Sequence, residues 1–421
     1  MKKKQLLLIL LILLVFLLNG CWDYTEYENM ALVSVLGVDW DEQSAQITVS
    51  VQYIVPGGGT GGGGEGGGKT KKSSPDVEIK AASGSTIDEA LTKIQQIVGR
   101  RLFYGYLEAE IIGEEAAKNI IEDIIGMNDR TPEIRTTAYI LIASGKASET
   151  VGTVETDIAV SGGRHIRDLV DASNMTGNAY PVIIEDFIEN LQKEGIEATA
   201  PRIITTVSKN GEGKGQSDGS ADGSSGSGGK AEQKEGCHRI DGMAVFKRAK
   251  FAGWLDGEES KGLIWITGKN INPYETFKTS GNADTSNTLI FRITKSKGKI
   301  KVKLDNGTPI VNISVYVEAD LRKYAKDMKP RILTPDAVNI MQDDMEIKIR
   351  SEIDAAVKKC QKELKSDVLG FGQTFYRQHL SLWRNTYEKE WESFFPDLPV
   401  EVKVQAKVVT TGTSIMRFFT K

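Results

Sequence analysis

The segment LIFRITKSKGKIKVKLDNGTPIVNISVYV, residues 289–317, decides the class of fold that we expect for this chain. Apolar and polar residues alternate along most of it, which is typical of strands with one buried face. Two polar pairs, Lys297-Gly298 and Asn306-Gly307, interrupt the alternation, and an Asn-Gly pair is a common two-residue turn in β-hairpins. The segment therefore predicts a β-meander of three strands.

One face of this meander is apolar and the opposite face is basic. The basic face carries Arg292, Lys299, Lys301 and Lys303. Two interpretations remain open for it. It can contact anionic lipid headgroups or an acidic partner, or it can be a solvated face whose lysines protect an edge strand from pairing with other chains.

Two helices and a strand are expected after the meander. Thr334 followed by Pro335 is a good helix start, because a hydroxyl caps the helix and proline needs no partner in its first turn. Apolar residues then recur at helical spacing at Val338, Met341, Met345, Ile349, Ile353, Val357, Cys360 and Leu364. A second helix is predicted after Ser366 to Gly372, with Phe375, Tyr376, Leu380, Trp383, Tyr387 and Trp391. Residues 400–409 read as a closing strand, and helices packed on such a sheet give an α+β domain.

The N-terminal half mixes both kinds of element. Strands are expected at residues 31–38, 45–55, 104–112, 136–143 and 202–207. Helices are expected at residues 114–125, 164–172 and 182–194. A further helix begins at the capping box Ser85-Thr86-Ile87-Asp88 and ends at Gly99, where glycine readily adopts the left-handed C-terminal conformation.

Glycine-rich segments divide the chain. Residues 57–68 read as a flexible insertion and residues 209–236 as a loop or linker, because neither has apolar side chains to bury. We expect an N-terminal α+β domain at 21–208, with one or two subdomains, and a C-terminal α+β domain at 237–421. The predicted fold class is a multi-domain α+β protein with mixed sheets and packed helices.

Residues 1–20 resemble an export signal. Lys2, Lys3 and Lys4 precede an apolar run at residues 6–18, whose helical length of roughly 20 Å is short of the roughly 30 Å of a membrane core. Leu18-Asn19-Gly20-Cys21 resembles a bacterial lipobox, in which the thiol of Cys21 becomes a diacylglyceryl thioether. Two acyl chains would hold the protein on a bilayer. A secreted protein with a chance cysteine and an uncleaved anchor helix remain the alternatives.

The composition excludes several classes of function. A net charge of -4 gives no basic footprint for general nucleic-acid binding. Cys237 and Cys360 are expected to be free thiols, with a single disulfide as the alternative. The three histidines are isolated, so no metal site is expected. No nucleophile elbow, zinc-protease motif or P-loop is present, and the chain is therefore not expected to be an enzyme.

Several motifs resemble one family in their order along the chain. In the N-terminal half they are Cys21-Trp22-Asp23, residues 99–107 and residues 130–135. In the C-terminal half they are residues 242–247, Gly253-Trp254-Leu255, residues 262–265, and Asp367, Gly370, Phe371 and Gly372 with Trp383 and Trp391. Together they resemble the C-subunit lipoproteins of spore germinant receptors.

The resemblance implies a protein anchored by an acylated Cys21, carrying diacylglyceryl and palmitate chains, on the outer face of the spore inner membrane. It implies a complex with two integral membrane subunits, A and B, which detects nutrients and starts germination, and no catalytic role or cofactor. It does not imply which nutrient is detected. Reasoning from the residues alone leaves one competitor, a solute-binding lipoprotein of a membrane transporter, although that class usually has two repeated α/β lobes.

Overall fold

The computed structural model describes residues 5, 26–56, 77–154, 162–207, 229–230, 234–269, 273–278, 288–323 and 335–410. The proposed lipidation site Cys21, its neighbours Trp22 and Asp23, and the glycine-rich insertion 57–68 lie outside the described residues. So does the predicted signal peptide, apart from Gln5. Within the described part the protein is α+β, with two sheets and helices packed against them.

The first sheet contains eleven strands among the described residues. They are β1 (Met30–Asp41), β2 (Gln46–Ile54), β3 (Val77–Gly84), β4 (Arg101–Phe103), β5 (Ala109–Ile112), β6 (Tyr139–Ala143), β7 (Thr153–Val154), β8 (Thr199–Val207), β9 (Gly229–Lys230), β10 (Lys234–Lys247) and β11 (Lys250–Leu255). Their order is β11-β10-β8-β6-β5-β1-β2-β3-β9, with β4 paired to β1 and β7 to β10.

The central strand β1 has an apolar sequence because both its edges and both its faces are covered. It pairs with β2 antiparallel and with β4 and β5 parallel. All its residues from Ala31 to Asp39 are buried, as expected where helices cover both faces of a sheet with parallel neighbours. The strand therefore anchors the core of this half.

Seven helices surround the first sheet within the described ranges. They are α1 (Ile87–Val98), α2 (Glu114–Asn119), α3 (Ile121–Arg130), α4 (Ala147–Gly152), α5 (Gly162–Thr176), α6 (Ile184–Gln192) and α7 (Gly257–Thr267). The N-cap of α1 is Thr86, one residue later than the predicted Ser85: its hydroxyl accepts the Glu89 N–H. The reciprocal bond of a capping box is absent at Thr86, because the Glu89 carboxylate accepts the Ser85 N–H instead, at 2.8 Å. Gly99 ends this helix with a φ of 66°.

The second sheet has the order β12-β13-β14-β15. Its strands are β12 (Tyr274–Lys278), β13 (Thr288–Asp305), β14 (Thr308–Lys323) and β15 (Val400–Thr410). The first three form an antiparallel meander, and β15 pairs parallel to β14. Asn306 and Gly307 turn the chain between β13 and β14 with φ angles of 48° and 86°, so the hairpin turn predicted there is confirmed.

The second predicted turn, at Lys297-Gly298, is wrong. Both residues lie inside the continuous strand β13, and the first strand of the meander is β12 instead. Gly298 is present for a different reason: a Cβ atom there would lie 2.3 Å from the carbonyl oxygen of Trp265 in α7. Glycine in this strand allows a close approach of a helix, which the sequence pattern could not distinguish from a turn.

The predicted long helix is present as α8 (Pro335–Lys358) and continues as a π-helical turn, Lys359–Leu364. Its predicted cap, Thr334, lies outside the described residues. Gln342 and Glu346 in α8 accept hydrogen bonds from the backbone N–H groups of Val408 and Ala406. The helix thus covers the free edge of β15, which would otherwise expose unpaired backbone groups.

The single second helix that we expected is broken into short pieces. They are α9 (Phe371–Gln378), α10 (Leu380–Leu382), a π-helical turn (Trp383–Tyr387) and α11 (Trp391–Phe394). The predicted strand at 104–112 is likewise shorter, because Tyr104–Tyr106 is a 3-10 turn before β5. The apolar spacing in the sequence does not reveal these breaks, because it continues across them.

The predicted linker 209–236 is described only at 229–230 and 234–236, where the chain forms β9 and the start of β10. The rest of it lies outside the described residues. The first sheet extends through β10 and β11 to Leu255, and the second sheet begins at β12. The domain limits 21–208 and 237–421 remain a prediction.

Candidate functional site

Asp367 lies in the turn between α8 and α9 and is buried, with 5% of its surface exposed. Its carboxylate accepts three hydrogen bonds: from the N–H of Phe371 at 3.0 Å, the N–H of Gly372 at 2.7 Å and the indole N–H of Trp391 at 2.9 Å. The two backbone donors belong to the first turn of α9, where helices leave N–H groups unpaired. Asp367 therefore fixes the start of α9 and holds Trp391 against it.

Burial raises the pKa of Asp367 from 3.8 to about 6, while the hydrogen bonds from Gly372, Phe371 and Trp391 act in the opposite direction. Desolvation penalises the charged form and the three donors stabilise it. The three donors therefore stabilise the ionised carboxylate against the penalty of burial. Among the described residues, no Lys or Arg forms an ion pair with it within 4.0 Å.

Two glycines let another part of the chain approach this turn closely. A Cβ on Gly372 would lie 2.7 Å from Nε1 of Trp391 and 2.9 Å from Cα of Gly195. A Cβ on Gly195, whose φ is 71°, would lie 2.4 Å from the carbonyl carbon of Gly372. Neither position has room for a side chain, which explains the glycine at each.

Backbone hydrogen bonds connect the two segments. The N–H of Gln373 donates to the carbonyl of Gly195 at 2.6 Å, and the N–H of Glu197 donates to the carbonyl of Asp367 at 3.1 Å. We call this contact the Asp367 joint; it comprises residues 195–197, residues 366–373 and Trp391. It attaches the C-terminal helices to the loop between α6 and β8 of the first sheet.

An aromatic cluster supports the joint from behind. Its members are Phe371, Phe375, Trp383, Tyr387, Trp391 and Phe395, all buried. The ring of Phe375 lies 5.0 Å from that of Tyr387 and 5.9 Å from that of Trp383, in edge-to-face arrangements, which are favourable for aromatic pairs. The structure therefore brings together Asp367, Gly370, Phe371 and Gly372, four of the residues singled out in the sequence.

Trp254 lies apart from the joint, on β11. The guanidinium carbon of Arg202 lies 4.6 Å from the centroid of the Trp254 ring, and the Phe251 ring packs against it at 4.7 Å. This cation–π contact fixes the edge of the first sheet. Any contact that Trp254 makes with another protein remains a prediction.

A cavity of about 340 Å³ opens beside the joint. Its wall includes Val368, Leu369 and Gly370 from the joint. Its polar lining residues are Tyr180, Asn190, Glu197, Thr199, Thr267, Lys269, Gln373, Thr374 and Arg377. The ammonium nitrogen of Lys269 lies 5.1 Å from the centroid of the Tyr180 ring. The cavity therefore has contributions from the first sheet, from the end of α7 and from α9.

Two titratable residues of this lining have defined hydrogen-bond partners. The described lining residues include no histidine or cysteine. The Glu197 carboxylate accepts the N–H of Arg248 at 2.9 Å, and burial raises its pKa. The Tyr180 hydroxyl is hydrogen-bonded to that of Thr199 at 2.6 Å.

Sequence reasoning missed this cavity. Its polar residues lie in separate segments between Tyr180 and Arg377, so no spacing pattern connects them. The only available signal was the motif at 366–372, which forms part of its wall.

Cys237 is exposed and Cys360 is buried, and both are free thiols, as predicted. Burial raises the pKa of the Cys360 thiol, which keeps it protonated and unreactive. Among the described residues no cluster of His, Cys, Asp and Glu is arranged to hold a metal ion. In the part of the chain that the structure covers, no helix has both the length and the apolar character needed to span a membrane.

The predicted basic face is exposed on β13. Arg292, Lys299, Lys301 and Lys303 all point to solvent. Within the described ranges, no carboxylate lies within 4.0 Å of the three lysine ammonium groups. Contact of this face with anionic lipid headgroups or with an acidic partner stays a prediction.

Comparison with known proteins identifies both halves of the chain. The family described as "Spore germination protein N-terminal domain" matches residues 23–205, and the family described as "Spore germination B3/ GerAC like, C-terminal" matches residues 241–412. The match to the N-terminal domain precedes the match to the C-terminal domain along the chain, and together they cover most of it.

Individual relatives agree with these matches. The chain is 29% identical to spore germination protein KC of Bacillus subtilis (strain 168) over 421 residues, covering 98% of this chain and 97% of that protein. It is 22% identical to spore germination protein B3 of the same organism, covering 94% of each. A crystal structure of the GerBC protein matches with 18% identity and a TM-score of 0.49, covering 89% of this chain and 96% of that one.

Proposed function

The chain belongs to the GerAC-like family of spore germination proteins, and from this premise we propose that it is the membrane-anchored C subunit of a germinant receptor. In this proposal, acyl chains on Cys21 hold the protein on the outer face of the spore inner membrane. The folded part assembles or stabilises the complex with two integral membrane subunits, A and B. It has no catalytic role, in keeping with a cavity whose described lining lacks histidine and cysteine.

The position of the family match relative to Cys21 is the observation that carries this proposal. The match to the N-terminal domain begins at residue 23, two positions after the proposed lipidation site. Strand β1 begins at Met30, so roughly nine residues separate it from the anchor, and these reach at most roughly 30 Å when fully extended. A lipid on Cys21 would therefore keep the folded body close to the bilayer, where it can contact membrane subunits.

The test replaces Cys21 by alanine. We expect the Cys21→Ala protein to leave the membrane fraction when subunits A and B are absent, because two acyl chains supply the membrane affinity. Spores carrying it should germinate poorly in response to nutrients. Membrane sedimentation, mass spectrometry of the mature N-terminus and a germination assay measure these effects.

Cys237→Ala is the matched control, because Cys237 is an exposed free thiol far from the signal. It should sediment with membranes and support germination like the unchanged protein. If the Cys21→Ala protein still sediments with membranes that lack A and B, or if the mature N-terminus carries an unmodified cysteine, the anchor is wrong.

The partners need a separate experiment. Purification of the native protein from dormant-spore membranes in mild detergent should recover two integral membrane proteins in constant ratio. Recovery of transporter permease components instead would favour the solute-binding alternative, which the names of the relatives above do not support.

A further inference from the structure

The cavity beside the Asp367 joint has the dimensions of a small-molecule site. Its volume is about 340 Å³, at the lower end of the roughly 300–1,000 Å³ typical of ligand pockets. One side of the wall is apolar, with Ile196, Ile266 and Ile300. A ligand that fills this space therefore has a short carbon skeleton as well as polar groups.

Two cations in the wall have no anionic partner. In the described part of the chain, neither Lys269 nor Arg377 has a carboxylate within 4.0 Å of its charged nitrogen atoms. Lys269 is held in place over the Tyr180 ring. An Arg guanidinium and a Lys ammonium on one small cavity favour a negatively charged occupant, since the guanidinium fork matches a carboxylate or a phosphate.

The acid in the wall does not neutralise these cations. Glu197 accepts a hydrogen bond from the N–H of Arg248. Its carboxylate forms no ion pair within 4.0 Å with Lys269 or Arg377.

Two amide side chains complete the set of donors. Asn190 and Gln373 line the cavity, and neither amide group makes a hydrogen bond to another described residue. An amide can donate to an oxyanion beside the two cations. From the size, the free cations, the free amides and the apolar wall, we propose that this cavity binds a small organic oxyanion, a carboxylate or a phosphate ester, through Lys269 and Arg377.

This site goes beyond the proposed receptor role and does not depend on it. It also explains the polar lining at a place where the structure holds two halves of the chain together. A ligand that contacts Asn190 in the N-terminal half and Gln373 in the C-terminal half would stabilise their contact, because binding to the folded state alone raises its stability.

Calorimetric titration of the full chain in detergent, with succinate and with glycerol 3-phosphate as separate probes, tests the proposal. We expect at least one probe to bind with one-to-one stoichiometry in the millimolar range or below. Lys269→Gln and Arg377→Gln should each weaken that binding by about tenfold or more, because each removes a charge-assisted hydrogen bond. Both residues are exposed, so we expect the thermal midpoint without probe to stay unchanged.

Arg384→Gln and Lys389→Gln are matched controls, since both side chains are exposed and neither lines the cavity. They should bind the probes like the unchanged chain. Binding of succinate would indicate that the site takes a carboxylate, and binding of glycerol 3-phosphate would indicate that it takes a phosphate ester. The proposal is overturned if neither probe binds, if the two cavity variants bind unchanged, or if the controls weaken binding as much as the cavity variants do.

Discussion

Asp367 in the joint and Glu110 in the first sheet are both buried carboxyl groups, but they are supplied with hydrogen-bond donors very differently. Asp367 accepts from two backbone N–H groups and from the Trp391 indole. Within the described residues, the Glu110 carboxyl group on strand β5 accepts a single hydrogen bond, from the Asn128 side chain in α3 at 2.8 Å, and its Oε1 atom has no partner there. Burial raises the pKa of Glu110 to about 7 and that of Asp367 to about 6.

The difference shows that burial alone does not decide what a carboxyl group does. In the joint, three donors keep the anion stable enough to organise the start of α9 and to hold Trp391. In the first sheet, the Oδ1 atom of Asn128 has no hydrogen-bond partner among the described residues either. The donors around Asp367 thus favour its ionised form, whereas burial of Glu110 with a single donor favours its neutral form.

The largest effect is expected from removing the anion in the joint. Asp367→Ala leaves the N–H groups of Phe371 and Gly372 and the indole of Trp391 buried without an acceptor. We expect a loss of about 3–5 kcal/mol in the free energy of unfolding. Urea unfolding followed by tryptophan fluorescence measures it.

Asp397→Ala is the control, because Asp397 is exposed and pairs only with the exposed Lys362. Its unfolding midpoint should not change measurably. Equal midpoints for the Asp367→Ala and Asp397→Ala proteins would contradict the role of the buried anion.

A smaller effect, which depends on pH, is expected at Glu110. Its folded-state pKa of about 7 lies above the ordinary value of 4.5, so the folded protein binds this proton more tightly than the unfolded chain does. The resulting stability is complete below pH 4.5 and is lost as the pH rises through 7. Glu110→Gln removes this dependence, and at pH 8 it should be more stable than the unchanged protein by up to about 3 kcal/mol.

Urea unfolding of the unchanged protein and of the Glu110→Gln protein from pH 4 to pH 8 measures this effect. Other titrating groups contribute equally to both unfolding free energies and therefore cancel in their difference. At pH 4 the two unfolding free energies should approach each other. Parallel curves from pH 4 to pH 8 would mean that Glu110 is ionised in the folded protein, and the contrast with Asp367 would disappear.

The smallest effect is expected from a methyl group at the joint. In the Gly372→Ala protein the new Cβ lies too close to Trp391 and Gly195, and we expect a cost of about 2 kcal/mol from overpacking. Gly126→Ala is the matched control in α3, beside Asn128, where the new Cβ approaches only the flexible end of Arg130. That substitution should stabilise the protein by about 0.5–1 kcal/mol, as alanine does in helix interiors.

A lower stability of the Gly372→Ala protein and a higher stability of the Gly126→Ala protein would distinguish a tightly packed joint from an ordinary helix surface. Thermal unfolding of both proteins provides the measurement. If Gly372→Ala is as stable as the unchanged protein, the two segments can move apart, and the joint is not the rigid contact described here.

The local sequence pattern was sufficient to predict much of the secondary structure of the C-terminal half. The alternation at 289–317, the Asn306-Gly307 turn and the presence of the long helix α8 were predicted correctly. Each of these depends on a few neighbouring residues, whose backbone preferences and buried face are set locally. The motif containing Asp367 was found only through its resemblance to a family, because a buried acid has no signature in a single sequence.

The sequence by itself determined three things. They are the alternation that makes strands, the turn and cap residues at which some elements begin or end, and the family to which the chain belongs. Only the tertiary structure decided that Gly298 is packed under α7 and does not turn the chain, that Gly195 meets Gly372, and that Lys269 and Arg377 share one cavity. The physical reason is the range of the interactions. Turns and caps involve residues a few positions apart, whereas close backbone approach and a shared cavity depend on segments that only the folded core brings together.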